Sequence, residues 1–284
     1  MLKLLFNPLA DGGNGLADSL EAEKKLLAYG KQVERIDSTK TDINNLIKEL
    51  DENDEVAILG GDGTLNYFIN HVINFPKNKI YLYPSGTGND FLNDIKDFET
   101  PVEGGLYEIN KFLLDLPKID VKGKTYRFIN GIGFGIDGEC CVEADRKKAA
   151  GETNIDYSKI TIGLLLGPFK PRTATVRIDN GAPIVVNKAY LASAMHGRMY
   201  GGGMNIAPDQ RRNCGHLTCA IIHGKSKLGI LMNFPGLFKG KHKGKKWAFL
   251  KQGKSIEVSF DVPCGLQIDG EVVEDVTSYR AYLD

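Results

Sequence analysis

Two glycine-rich loops hold most of the side chains in this 284-residue chain that have the types and spacing for chemistry. Gly60-Gly61-Asp62-Gly63-Thr64 follows the apolar run Val56 to Leu59 and leads at once into Leu65-Asn66. Glycine has no Cβ, so such a backbone reaches positive φ and turns its N–H groups toward a phosphate at van der Waals distance. A helix starting there adds the favourable partial charge of its N-terminus. Asp62 would repel that phosphate unless a cation lay between them, which points to Mg²⁺ bound directly or through water. The alternative is a Gly-Asp-Gly turn that only closes a βα unit. Pro84-Ser85-Gly86-Thr87-Gly88-Asn89-Asp90-Phe91 repeats the design, with glycines for close approach, hydroxyl and amide groups for hydrogen bonding and an acid at the next helix start. Taken alone, Asn89 and Asp90 are ordinary helix caps. A third candidate lies far along the chain. Gln267-Ile268-Asp269-Gly270-Glu271-Val272 reads, from its residues alone, as a β-hairpin with Asp-Gly at the turn, and turns often present catalytic groups.

Other patterns point elsewhere or nowhere. The Walker pattern GxxxxGK[ST] is absent. Gly133-Phe134-Gly135-Ile136-Asp137-Gly138 matches GxGxxG, but it falls among strand-like runs of antiparallel texture, where a lone match is a weak sign of dinucleotide binding. Five cysteines without a CxxC pair suggest neither a disulfide framework nor a zinc ribbon and fit a reducing cytoplasm. The short apolar run in MLKLLFNP is too short for a signal peptide, and Ile160 to Phe169 is too short to span a bilayer.

The elements that must position these loops change character along the chain. Strand-like runs at Leu2 to Phe6, Val33 to Asp37, Glu55 to Leu59 and Ile80 to Tyr83 alternate with helical patterns near Leu16 to Tyr29, from Thr41 or Asp42 onward, and after the Asp62 loop. Strand-helix alternation predicts a parallel doubly wound sheet with ligands at the carboxyl ends of its strands. After about Lys118 the pattern becomes mainly antiparallel: Tyr126 to Ile132, Thr173 to Ile178, Ile184 to Ala194, Leu217 to Ile222, Ser255 to Phe260 and Leu266 to Ile268, with helices near Cys140 to Ala150, Ile155 to Leu166 and Lys227 to Phe234. The expected division is an α/β nucleotide domain over residues 1–118 and a β-rich substrate domain over 119–284. Net charge is zero overall, yet residues 1–118 hold 12 Lys/Arg against 20 Asp/Glu and residues 119–284 hold 24 against 16. That asymmetry fits either two domains with complementary faces or a basic half facing an anionic surface.

The chain resembles the diacylglycerol kinase catalytic-domain family, which also holds sphingosine kinases and bacterial soluble lipid kinases. The resemblance is carried by Asn7-Pro8 with Gly12-Gly13, the Gly60 to Asn66 loop, residues 84 to 91, Asn130 to Gly135, Gly201-Gly202-Gly203-Met204 with Ala207-Pro208, and Asp269-Gly270-Glu271. It implies an α/β domain of NAD kinase and phosphofructokinase type followed by a β-rich domain, with ATP and a lipid alcohol meeting in the cleft. It further implies that Asn7, Thr39, Gly61, Asp62, Gly63, Thr64, Leu65, Asn66 and Thr87 contact the nucleotide. Asp62, Asn89, Asp90 and Asp120 would organise Mg²⁺, and Glu271, assisted by Asp269, would accept the proton of the lipid hydroxyl, most readily that of diacylglycerol. Similar bacterial members carry acids near the stretch matching Pro208 to Leu217 that bind a structural magnesium. Here that stretch contains Arg211, Arg212 and Cys214, poor ligands for a hard cation, so the site is expected to be missing. Cys214 with His216 makes two zinc-type ligands without companions, which form an ordinary loop.

Lys239-Gly240-Lys241-His242-Lys243-Gly244-Lys245-Lys246 follows an apolar aromatic stretch, and suits either a solvated basic loop or peripheral contact with anionic headgroups at the inner membrane face. No nucleic-acid motif accompanies those charges. The rival enzymatic reading is an NAD kinase or another soluble-alcohol kinase, and the non-enzymatic one is a nucleotide or lipid sensor in which Asp269 and Glu271 are only a turn.

Overall fold

The strand-helix alternation of the first half appears in the computed structural model, which describes every residue except Thr87, Thr153, Asn154 and Pro168. The chain divides into two units, Met1–Asp115 and Leu116–Asp284.

In the first unit β1 (Leu2–Phe6), β2 (Val33–Asp37), β3 (Glu55–Gly60), β4 (Ile80–Pro84) and β5 (Tyr107–Glu108) form one sheet in the order β2-β1-β3-β4-β5. The first four are parallel and β5 runs antiparallel to β4. Between them lie α1 (Ala10–Gly13), α2 (Gly15–Ala28), α3 (Ile43–Lys48), α4 (Asp62–His71) and α5 (Asp90–Ile95), and α6 (Asn110–Leu113) follows β5. β1, β3 and β4 are largely apolar because helices cover their faces: Leu2, Leu4, Phe6, Ala57, Leu59 and Tyr81 share one core cluster with Ala22 and Leu26 of α2. Each such aliphatic side chain contributes roughly 1.5–3 kcal/mol on burial. α3 starts where expected, since the Asp42 carboxylate accepts the N–H groups of Asn44 and Asn45. The strand order reverses between β1 and β3, so the chain leaves their carboxyl ends in opposite directions and opens a crevice there.

The second unit holds β6 (Lys118–Val121), β7 (Lys124–Arg127), β8 (Gly131–Gly135), α7 (Ile136–Ala149), α8 (Tyr157–Leu166), β9 (Arg172–Ile178), β10 (Ile184–Met195), β11 (Leu217–His223), α9 (Lys227–Phe238), β12 (Ala248–Gly253), β13 (Ser255–Ile268) and β14 (Glu271–Tyr282). All pairings are antiparallel, in the order β12-β11-β10-β8-β13-β14-β6-β7, with β9 joined to both β10 and β13. β10 and β13 each change partner midway: β9 holds their first halves and β8 their last residues, with register shifts between. Bends of that kind fold a sheet over itself into a sandwich. Phe134 fills the layer, stacked on Phe260 at 4.2 Å between centroids and edge-on to Tyr279 at 5.6 Å.

Some strand boundaries differ from the sequence reading. Tyr126 to Ile132 is two strands, because the backbone of residues 129–131 bonds to the Asp269 side chain instead of continuing a ladder. Ser255 to Phe260 and Leu266 to Ile268 belong to one strand, interrupted by its irregularity near Pro263. The GxGxxG glycines seat a helix: a Cβ on Gly133 would lie 1.7 Å from Asp137 Oδ2, and one on Gly138 would lie 2.1 Å from Gly265 O. Their missing side chains let α7 pack on β13, so that space is filled by protein. Among the described residues no helix is long and apolar enough to cross a membrane.

Candidate active site

In the first unit the loops after β1, β2, β3 and β4 leave the sheet at one edge, the carboxyl ends beside the β1/β3 crevice. After β1, Asn7 Oδ1 accepts the Leu9 N–H at 2.9 Å, and the start of α2 passes so near that a Cβ on Gly15 would sit 2.0 Å from Asn7 O. After β2, Thr39 donates its N–H (2.9 Å) and its hydroxyl (2.6 Å) to Asp37 Oδ1. That hydroxyl, ahead of the lesser effects, holds the Asp37 carboxyl below the usual range.

The two glycine loops are joined by Asp62. Its Oδ2 accepts the Asp90 N–H at 2.7 Å and its Oδ1 accepts the Phe91 N–H at 3.0 Å, so the carboxylate of the first loop caps the helix into which the second loop leads. Asn89, at the cap position itself, makes no side-chain cap bond. In return the Asp62 N–H donates to Gly88 O at 2.7 Å, and Ser85 N–H donates to Gly60 O at 3.2 Å. Glycine is required at the crossing, since a Cβ on Gly61 would fall 2.0 Å from Gly88 O. Ser85 Oγ is held by Asp18 Oδ2 at 2.5 Å, tying the second loop to α2.

α4 starts at Asp62 without a side-chain cap, and a Cβ on Gly63 would meet nothing within 4 Å. That combination, first-turn N–H groups and open space, suits an anionic group. Thr64 stands over Gly60, where a Cβ would come within 2.3 Å of its Oγ1. Leu65 is fully buried and its N–H returns to Gly61 O, so it packs the loop from beneath, and Asn66 is buried beside it. Thr87 lies outside the described residues.

The oxygen set of this edge fits a hard cation. Asp90 is 5% exposed, and Asn89 Oδ1 is buried without a hydrogen-bond partner while its Nδ2 donates to Gly86 O at 2.7 Å. Carboxylate and amide oxygens together are what Mg²⁺ takes, directly or through water. Among the described residues no three His, Cys, Asp or Glu side chains form a metal-binding group, so any such ion would lean on Asn89 and on water. Asp120, the fourth residue of the expected set, belongs to the second unit. It sits on β6, accepts the Thr125 hydroxyl at 2.6 Å and borders a cavity of about 390 Å³ on the polar face of the sheet with Lys122, Arg177, Glu257 and Arg280.

In the second unit Asp269 and Gly270 form the two-residue turn between β13 and β14, with φ of 48° and 98°. Positive φ at both positions matches the primed turns that close twisted hairpins. The Asp269 carboxylate accepts three N–H groups, from Ile129 (2.6 Å), Asn130 (2.8 Å) and Gly131 (2.9 Å). Glu271, next along, is exposed and has no side-chain partner among the described residues. Gln267 steadies the turn by accepting the Gly270 N–H at 2.7 Å and donating to Asp137 Oδ2 at 2.8 Å.

Sequence reasoning missed Arg212 as a structural partner. Its guanidinium donates to Ile129 O and, at 2.7 Å, to Asn130 Oδ1, so the segment whose N–H groups hold Asp269 is gripped on its oxygen side by an arginine. His196 and Gly197 N–H groups add bonds to Asn130 O, each at 2.9 Å. Asp18, Gln267 and Asp137 were missed as well. Long-range pairing of this kind leaves no local spacing in a sequence; the only signal was an arginine where a metal-binding acid was expected.

Comparison with known proteins follows this division. Residues 1–110 match the diacylglycerol kinase catalytic domain, and residues 130–280 match the YegS C-terminal NAD kinase beta sandwich-like domain. A YegS-like lipid kinase of Shewanella frigidimarina (strain NCIMB 400) is 25% identical over 228 residues, covering 76% of this chain and 69% of the relative. A diacylglycerol kinase of Staphylococcus carnosus (strain TM300) is 26% identical over 235 residues, 79% of this chain and 72% of its own. Among solved structures, a diacylglycerol kinase from Bacillus anthracis str. Sterne superposes with a TM-score of 0.67 at 18% identity, covering 99% of this chain and 93% of that one, a likeness of fold. The chain therefore belongs to the diacylglycerol kinase catalytic-domain family, a family of kinases, and carries that family's YegS-type C-terminal domain.

Proposed function

We propose that this chain is an ATP-dependent lipid kinase that transfers the γ-phosphate of ATP to the hydroxyl of a lipid alcohol, diacylglycerol first among the candidates, giving phosphatidic acid. The observation that carries the reading is the Asp62 latch, which fuses the two glycine loops into one surface at the β1/β3 crevice. ATP phosphates would lie against the N–H groups of Gly61, Gly63 and Thr64, with Asn7, Thr39 and Asn66 toward the rest of the nucleotide; Thr87 is a further nucleotide contact that the family resemblance implies. Leu65 supports this loop from the core. Asp62, Asn89 and Asp90 would hold Mg²⁺, which would supply charge neutralisation for the transferring phosphoryl group, and Asp120 of the second unit is the further oxygen ligand that the family resemblance implies.

Glu271 is the general base. The lipid oxygen attacks the γ-phosphorus, its proton passes to the Glu271 carboxylate, and the bond from the γ-phosphorus to the ADP oxygen breaks. An exposed, unengaged carboxylate suits that task, whereas Asp269, engaged by the N–H groups of Ile129, Asn130 and Gly131, positions the turn that carries it. The choice of a lipid acceptor is supported by the relatives named as diacylglycerol and lipid kinases. The basic segment Lys239 to Lys246 then serves as peripheral contact with a membrane surface.

The test is phosphate transfer from labelled ATP to a panel of lipids in mixed micelles, with NAD as comparator. Label in the organic-extractable phosphate of one lipid class supports the reading. Label in NAD alone sinks it in favour of a soluble-alcohol kinase, and no transfer at all leaves a sensor.

A further inference from the structure

α9 is apolar on both sides. Ile230 and Leu237 face the second unit's core at 5% and 3% exposure, yet Leu228 and Met232, on the opposite face, are 63% and 76% exposed. Pro235 extends that outer stripe at the i, i+4, i+7 spacing of one helix face. A surface helix normally presents charge to water, and one apolar all round is normally buried. Beside it α8 exposes Leu166 at 67%, and Lys227 Nζ ties the two helices by donating to Gly167 O at 2.7 Å. Neighbouring apolar side chains standing clear of the surface mark a contact site.

The charges around the stripe say what contacts it. From Gln210 to Ile256 there is no Asp or Glu, while eleven Lys and Arg occur. From Tyr157 to Ile178, across α8, there is again no acid, and four Lys and Arg occur. Exposed Lys239, Lys241, Lys245 and Lys246 follow the end of α9 directly. A second copy of this chain would bring the same acid-free surface against itself, with like charges opposed, which argues against a dimer here.

We propose that α9, with α8 beside it, is the face by which this chain docks on an anionic phospholipid bilayer. Leu228, Met232 and Leu166 enter the boundary between headgroups and acyl chains, α9 lies along the surface, and the lysines beyond Phe238 reach headgroup phosphates with their alkyl stems over the apolar layer. The proposal deepens the lipid kinase reading by naming how a membrane-borne acceptor is approached, and rests on it only for that purpose.

The test uses the full chain and sedimentation with vesicles of phosphatidylcholine alone or mixed with phosphatidylglycerol. The expected result is binding to the mixed vesicles that weakens as salt rises. L228S/M232S, substituting exposed side chains, should weaken it by about a hundredfold from lost apolar burial alone. K239E/K241E should remove the preference for phosphatidylglycerol while leaving the thermal melting curve unchanged. Equal binding to both vesicle types, full binding by L228S/M232S, or concentration-dependent self-association without vesicle binding would each overturn the proposal. Transfer to a short-chain diacylglycerol in detergent is measured in parallel. Docking lost with transfer kept separates the two roles, and docking kept without transfer contradicts the kinase reading alone.

Discussion

The two units use one device for different ends. In each, a single aspartate binds backbone N–H groups of a distant segment: Asp62 takes those of Asp90 and Phe91, and Asp269 takes those of Ile129, Asn130 and Gly131. In the first unit the latch belongs to the glycine loop itself, so the proposed phosphate and metal chemistry and the local fold share one carboxylate. In the second, Asp269 holds the turn and the neighbouring Glu271 is left exposed, so position and chemistry fall on two residues. Substitutions in the first unit should therefore damage fold and turnover together, while those in the second should separate them.

The largest expected effect is on turnover at Asp62. D62N keeps one acceptor oxygen but presents an amide N–H₂ to a backbone donor and removes the charge that holds a cation. Lipid phosphorylation should fall by roughly 10³-fold, a loss typical of a removed charge-stabilising group, and melting should fall as well. Wild-type rates in D62N would detach the latch from the chemistry. Next comes D269A, which strands the N–H groups of Ile129, Asn130 and Gly131 and should cost about 3 kcal/mol in chemical denaturation. Wild-type stability in D269A would show that the carboxylate does not hold the turn. R212A should cost about 1–2 kcal/mol, because the Asn130 side chain and Ile129 carbonyl lose a charged donor.

The smallest effect is on pH. Burial, above all, lowers the pKa of His242, and burial lowers that of His223. A base with a lowered folded pKa binds its proton more readily when unfolded, so this contribution is complete above about 6.5 and is lost as pH falls below it. Both histidines lie in the second unit. In the first, Glu55 is held below its usual value: burial opposes this, but hydrogen bonds from Lys31 and Tyr81 outweigh it. Its contribution is present above about 4.5 and is lost only at lower pH. Hydrogen exchange across pH 7 to 5 should thus show the second unit loosening first. Uniform loosening would contradict the assignment.

Much of the first unit was legible because its signals are local. Apolar strands, glycine loops and the Asp42 cap each occupy a few consecutive residues, and the resulting parallel sheet fixes where the loops emerge. The second unit was readable as antiparallel strands but not as a sandwich, since the partner switch of β10 and β13 depends on bulges with no distinct spelling. β14 begins with exposed and half-exposed residues, so its alternation is weak where a strand signal is sought. At the candidate site the residues could be named, yet their partners could not. Asp62 read as a phosphate-loop acid and stands as the cap of another loop's helix, and Arg212 read only as a poor metal ligand although it braces the segment that holds Asp269.

The central claim, that the second unit separates position from chemistry, rests most directly on Glu271. Single-turnover transfer from ATP to diacylglycerol in mixed micelles should be slowed roughly 10²–10⁴-fold in E271Q, the usual range for loss of a general base, with melting and nucleotide binding unchanged. Transfer by E271Q at the wild-type rate would remove Glu271 from the mechanism and leave the Asp269 hairpin as a turn alone.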